Sequence, residues 1–537
     1  MTSLSRTRRT AGGLTTLVAL GATAVLGLTA APAYAAGPPP TPGASGLGDR
    51  LYPLLGNGGY DVQDYDLSLR YPKKDPRQTV TGDVTITALA TQFLSRFDLD
   101  FGGGSVGGVS VNGHRAAFTR SGDELVITPK SPLPKGRPFR VTVTGFTATP
   151  VEPDADAPVG FVTTPDGTVL AGQPASSHLL FPSNDHPRDK ATYTIRLTAP
   201  AGWTATANGT PLGGRQHGDY AVSTFRESQP MASELVQIAV GDFLVQRQPA
   251  VHGVRIRDVV PRRLADTLLP KIAVERDQVA WMEQQVGPYP FGNYGSLVID
   301  GNLGFALETQ TLSLYDTSLF AAPKFVLDPV MAHELAHQWF GDSVAPQSWS
   351  DVWQNEGHAT WYELLYAEQT GVFKQYTDFD NREALFKSVY ARGDQWRDRW
   401  GPVARPSGAA SIWDVFNPNV YYGGALALYA LQQKIGVDRF RELERAWVRM
   451  NMGKSASTDD FIALASRIAH RDLRTFLIAW LYGTKTPPMP GHPDWTVTAT
   501  PATSTKDSSA KSSAAVRAQL GTDEVTRHLQ RLMRASH

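Results

Sequence analysis

His333 and His337 stand at positions i and i+4 of Ala332-His333-Glu334-Leu335-Ala336-His337-Gln338-Trp339-Phe340. On a helix that spacing puts both imidazoles on one face, where they can grip a single zinc ion. Glu334 projects beside that face, placed to take a proton from water that such an ion activates. The flanking residues predict the helix, with Asp328 as its N-cap, Pro329 at its first position and Gly341 at its end. A catalytic zinc also needs a third protein ligand and one open position. Glu356, in Asn355-Glu356-Gly357, is the obvious donor. It sits in a second predicted helix, capped by Ser350 or Asp351 and closed near Gly371. Two helices and the loop between them can bring His333, His337 and Glu356 to one point.

The run HELAHQWFGD, followed by WxxxWxNEGxA, resembles the zinc core of the M1 (aminopeptidase N-like) metallopeptidases, a gluzincin family. The resemblance extends from about Tyr60 to about Trp495 and suggests a compact secreted bacterial type. It implies roles for three further residues. Glu308, in Gly304-Phe305-Ala306-Leu307-Glu308-Thr309, matches the glutamate that binds the substrate's free α-amine. A carboxylate suits that task, because a charge-assisted hydrogen bond selects a free N-terminus. Phe305 and Thr309 depart from the family's pattern, which has glycine and asparagine there. Gln173 matches a residue reaching toward the same amine, and Tyr421 matches the tyrosine that stabilises the oxyanion. Tyr422 is adjacent, and Gly423 stands where a basic residue is common.

His358 invites a fourth-ligand reading, but that would close the position catalysis needs, and two residues past Glu356 is the wrong helical face. A supporting or substrate-facing place is expected instead, with Asp351 and Asn355 as neighbours of the ligands. Asp185 and His186 could suggest a second metal; a His-Pro turn that shapes the loop is the simpler reading.

The elements that must position these residues follow from periodicity. Residues 51–250 read as an N-terminal all-β domain, because apolar residues alternate at Tyr65, Leu67, Leu69 and Tyr71 and again at Val84, Ile86 and Ala88. Residues 251–495 read as a thermolysin-like, mainly α-helical zinc catalytic domain. Its predicted helices cover Leu264–Val286, Ala425–Ile435, Arg439–Met450 and Thr458–Leu481, with a short strand at Leu297–Ile299. No stretch is left over for the large helical C-terminal domain of longer family members. Residues 496–537 are a low-complexity tail rich in Ser, Thr, Lys and Ala, expected to be disordered, and residues 36–50 are a linker.

Residues 1–35 read as a signal peptide, with Arg6, Arg8 and Arg9 before an apolar run and Ala33-Tyr34-Ala35 as the cleavage site. Arg8-Arg9 leaves the export route open between the general and twin-arginine pathways. The 537 residues carry no formal net charge and no cysteine. That composition gives no nucleic-acid footprint, no disulfide, no thiolate metal site and no stable membrane anchor after signal cleavage. The reading is a secreted zinc-dependent aminopeptidase acting on peptides with one zinc ion. Its rivals are a thermolysin-like endopeptidase and a non-catalytic zinc-containing peptide-binding protein.

Overall fold

The computed structural model describes residues 38–153, 159–301 and 303–498, and from Pro40 onward these form one compact unit. The segment expected as a signal peptide and all but the first residues of the expected tail lie outside them. The N-terminal part is β throughout. Its main sheet has eight strands, with Tyr60–Arg70 and Val80–Ala90 at the centre and Ala191–Pro200 and Pro138–Ala148 flanking them. Alternation explains the burial: Tyr65, Leu67 and Leu69 point inward. Val62 is also buried, out of phase with Tyr65, because a bulge between Val62 and Asp64 shifts the register by one residue. Two four-stranded sheets complete this part, one of them ending in Gly160–Thr164 and Gly167–Ala171. That hairpin leads directly into the loop carrying Gln173.

The segment expected as a linker is seated on the fold. Asp49, 3 % exposed, accepts hydrogen bonds from the Leu51, Tyr52 and Trp349 amides and contacts His186, so burial is compensated at every side. His186 and Asp185 are thereby used structurally, Asp185 bonding His178 and Ser233.

The second part begins with a hairpin, Phe243–Val251 and Val254–Pro261. The latter strand pairs in parallel with Ser296–Ile299, which pairs with Ser313–Asp316, and Ala306–Leu307 forms the edge. Helices then take over. The expected long helices are each divided: Ala265–Ile272 is separate from Glu275–Gln285, and Thr458–Ile468 from Arg474–Tyr482. The HExxH helix spans Lys324–His337, so it starts before the expected cap. Pro323 caps it, Asp328 lies inside it paired with Lys324, and Pro329 falls in its interior. The next helix runs Trp353–Gln369 behind a short helical turn at Trp349–Asp351, so neither Ser350 nor Asp351 caps it. Asp351 instead accepts from the amide and hydroxyl of Thr458.

The helix Pro418–Ile435 starts earlier than expected because Asn417 caps it by accepting from the Asn419 and Val420 amides. It crosses the Glu356 helix at two glycines. A Cβ on Gly357 would lie 3.0 Å from the backbone of Gly424, and one on Gly424 would lie 2.9 Å from Gly357. Only glycine at both positions permits this approach, which brings Tyr421 over the motif helix.

Candidate active site

His333, His337 and Glu356 converge. Their Nε2 atoms each lie 3.4 Å from Glu356 Oε2, and all three residues are buried. The other face of each imidazole is fixed: His333 Nδ1 bonds Glu363 Oε2 at 2.7 Å and His337 Nδ1 bonds the Phe340 carbonyl at 3.1 Å. Glu356 Oε2 makes no hydrogen bond despite its burial. Ligands about 2.0–2.1 Å from a tetrahedral zinc stand about 3.4 Å from one another. The donor set, its spacing and the orphaned oxygen therefore fit a zinc ion, with both rings held so that Nε2 faces it.

Glu363 is the residue that sequence reasoning missed. It lies two helical turns after Glu356 and so shares its face, a period-of-seven signal that was there to be read. Its other oxygen accepts from the Tyr376 hydroxyl at 2.7 Å. Asp351 and Asn355, expected as neighbours of the ligands, make no hydrogen bond to them among the described residues. His358 turns away from the triad, stacked on Phe340 at 4.4 Å with Nε2 3.4 Å from Glu444 Oε1. It is part of the helix packing.

Glu334 is buried beside the two histidines. Burial lifts its carboxyl to about 8, with His333 and His337 favouring the charge and Glu308 and Glu356 opposing it. A dication held by the neighbouring ligands acts against that rise. Glu356 is also raised by burial, but His337 and His333 outweigh this and hold it at about 2.

Tyr421 stacks on His333, centroids 5.9 Å apart, and its hydroxyl interacts with Glu356. Burial, then the charges of Glu356, Glu308 and Glu334, push its pKa well up, so it stays a neutral donor. Tyr422 lies on the side of Glu363 and Tyr376, away from the triad. Glu308 is 3 % exposed, accepts from Gln173 Nε2 at 2.7 Å and lies 4.0 Å from His337 Nδ1. The two expected amine-binding residues thus meet each other beside the metal corner. Thr309 is absorbed structurally, donating to Leu312 O or Gln237 Oε1.

Two cavities meet here. One of about 60 Å³ contains Gln173, Glu308, His337 and Glu356. The other, of about 200 Å³, contains Val330, Glu363, Tyr376 and Tyr422. Phe305, Ala306, His333, Glu334, Trp413, Phe416 and Tyr421 border both.

The Peptidase family M1 domain matches residues 273–480. An M1 zinc metallopeptidase from Deinococcus radiodurans superposes with a TM-score of 0.73 at 29 % identity, covering 83 % of this chain and 99 % of that one. A mutant of that protein bound to a Tyr-Ser-Ala substrate superposes with a TM-score of 0.72 at 30 % identity, over 83 % of this chain and 100 % of the other. The chain belongs to the M1 family of zinc metallopeptidases. Among longer M1 relatives, Aminopeptidase M1 of Arabidopsis thaliana is 27 % identical over 321 residues, 57 % of this chain and 36 % of that protein. Glutamyl aminopeptidase of Rattus norvegicus is 27 % identical over 333 residues, 57 % of this chain and 33 % of its own length. The chain spans about a third of each. The two-part M1 architecture, β-rich then helical, is the one the sequence led us to expect.

Proposed function

We propose that this protein is a secreted aminopeptidase that holds one zinc ion on His333, His337 and Glu356 and removes N-terminal residues from peptides. The observation that carries the reading is the Gln173–Glu308 pair, a buried carboxylate set beside the metal corner. A peptide's α-ammonium has a partner there, and the first peptide bond then falls at the metal ligands. A mutant of the Deinococcus relative bound to Tyr-Ser-Ala, and a two-domain M1 zinc metallopeptidase mutant bound to L-arginine, support a peptide N-terminus as the ligand class. Secretion is supported by the basic start, the apolar run and Ala33-Tyr34-Ala35.

When bound, zinc supplies a Lewis acid that polarises the scissile carbonyl and makes water a competent nucleophile near neutral pH. Glu334 takes the proton from the attacking water and passes it to the departing amine. Tyr421 donates a hydrogen bond to the oxygen on which negative charge develops, and its water-poor surroundings strengthen that bond. Glu308 and Gln173 fix the amine, and Phe305 narrows the space for the first side chain, favouring small or unbranched residues there.

Matched peptides with free and acetylated N-termini, assayed with and without chelator, test the reading. The free peptide should be cleaved, the acetylated one poorly, and chelator should stop both. Glu308→Ala should lower kcat/KM for the free peptide by about 2–4 kcal/mol, since the ammonium is left desolvated and unpaired. Equal cleavage of both peptides by the wild type would favour an endopeptidase instead.

A further inference from the structure

We propose that Gln338 is a positioning residue, which sets the distance between the amine anchor Glu308 and the metal corner and so governs the preference for a charged α-amine. The inference rests on the aminopeptidase reading and deepens it. In a peptide one carbon joins the α-ammonium to the first carbonyl, so Glu308 must stand at a fixed spacing from the metal ligands. Gln173 orients the Glu308 side chain. The Glu308 backbone, however, belongs to an irregular turn, residues 308–311, that follows the edge strand Ala306–Leu307.

Gln338 closes that turn from the motif helix. It directly follows His337 and is fully buried. Its Nε2 donates to the Glu308 carbonyl at 3.0 Å, and its Oε1 accepts from the Thr311 amide at 2.9 Å. One side chain thus holds both ends of the turn. Its orientation is forced, because a peptide carbonyl only accepts and a peptide N–H only donates. The Tyr289 hydroxyl donates to the same Oε1 at 3.0 Å and fixes the amide from a third direction.

The turn needs such support. Thr311 has a φ of 66°, in the left-handed region that a β-branched residue rarely adopts. A backbone of this kind persists only where its surroundings hold it. Here the Thr311 hydroxyl accepts from the Gly209 amide at 2.8 Å, and Asn208 Nδ2 donates to the Gln310 carbonyl. Both of those contacts come from the β part, as Gln173 does. The anchor turn is therefore hung from the β part on one side, and Gln338 ties it to the helix of His333 and His337 on the other. Loss of that amide would let Glu308 shift relative to the metal corner while the three ligands, Glu334 and Tyr421 keep their own contacts.

The zinc-loaded full chain should be assayed on Ala-Phe-amide and on lactyl-Phe-amide, in which a hydroxyl replaces the ammonium. The wild type should prefer the amine by about a hundredfold in kcat/KM. Gln338→Met keeps the side chain's length and removes both hydrogen bonds, so it should cut that preference by about tenfold or more, mainly through a higher KM for Ala-Phe-amide. A merely structural role would lower the active fraction and affect both substrates alike, leaving the ratio unchanged. Gln338→Asn is one methylene too short to span the turn and keeps a polar group in the buried site; it should cut the preference in the same sense, and it decides the matter if Gln338→Met does not fold. A variant that folds, keeps zinc and retains the wild-type ratio overturns the assignment. Equal cleavage of the two substrates by the wild type would instead sink the aminopeptidase reading, and the inference with it.

Discussion

Glu356 and Glu275 are both carboxylates stripped of water, 2 % and 1 % exposed, and their surroundings are opposite. Burial raises Glu356, but two imidazoles outweigh it and leave the carboxyl at about 2. Glu275 is pushed well up by burial and then by Asp258, so that one proton is held between the two acids. Ser296 Oγ donates to Glu275 at 2.9 Å, and Gln248 Nε2 bridges Asp258 at 2.6 Å and Glu275 at 3.1 Å. One cluster is thus arranged around positive charge, and the other closes as a neutral hydrogen-bonded joint between strand and helix. Buried acids alone do not mark a metal site. What the acids face does.

The largest effect should come from breaking the positive side of the first cluster. His337→Ala removes a donor and leaves Glu356 and Glu334 closer to mutual repulsion, so both zinc content and peptide hydrolysis should be lost. Elemental analysis beside an activity assay reads both. Glu334→Gln keeps all three ligands, so zinc should remain while turnover falls by about 10²–10⁴-fold or more. Wild-type turnover in that variant would remove Glu334 from the mechanism. Next comes Tyr421→Phe, which deletes a donor and keeps the ring stacked on His333. Its kcat should drop about a hundredfold with little change in KM. Tyr422→Phe, on the far side near Glu363, should be much milder; the reverse ranking would exchange the two tyrosines' roles.

The two clusters also differ in how far they could be read from the sequence. The metal corner rests on short-range geometry, two histidines one turn apart and a glutamate in a neighbouring helix, so spacing alone pointed to it. Its helix boundaries were harder. Asp328-Pro329 carries the signal of a first turn, whereas the helix begins at Lys324, with Lys324 paired to Asp328 and Pro329 in its interior. Glu363 was legible by period but not by partner, because nothing local says that His333 Nδ1 will meet it. The proposed amine anchor joins residues 135 positions apart, Gln173 to Glu308, and only the family resemblance brought them together. The β layers were recognisable from alternation, yet the bulge at Val62–Asp64, which changes which residues face inward, has no such signature. Glu275 and Asp258 carry no signal of their meeting in the sequence. Each sits in a polar position of an ordinary-looking element, and their meeting depends on how a helix packs over a strand.

That joint supplies the smallest effect and the clearest sign. The folded-state carboxyl of Glu275 is raised above its ordinary value of 4.5. Between that value and the folded one, the unfolded chain has released its proton and the folded chain retains it. Stability from this group is therefore fully present below the ordinary carboxylate range and declines as pH rises through the window, by at most about 1.4 kcal/mol per pH unit. Glutamine at this position imitates the protonated acid: its carbonyl can accept from Gln248, its amide can donate to Asp258, and Ser296 can turn its hydroxyl to accept. Glu275→Gln should accordingly match the wild type at pH 5 and equal or exceed it at pH 8, with a flatter pH dependence between. Thermal unfolding of the zinc-loaded proteins at both pH values measures this. Activity per folded molecule should not change, because the joint touches neither the metal ligands nor either cavity. A Glu275→Gln protein that lost stability at pH 8 and not at pH 5 would mean that the folded protein needs a charge here, and the contrast with Glu356 would collapse.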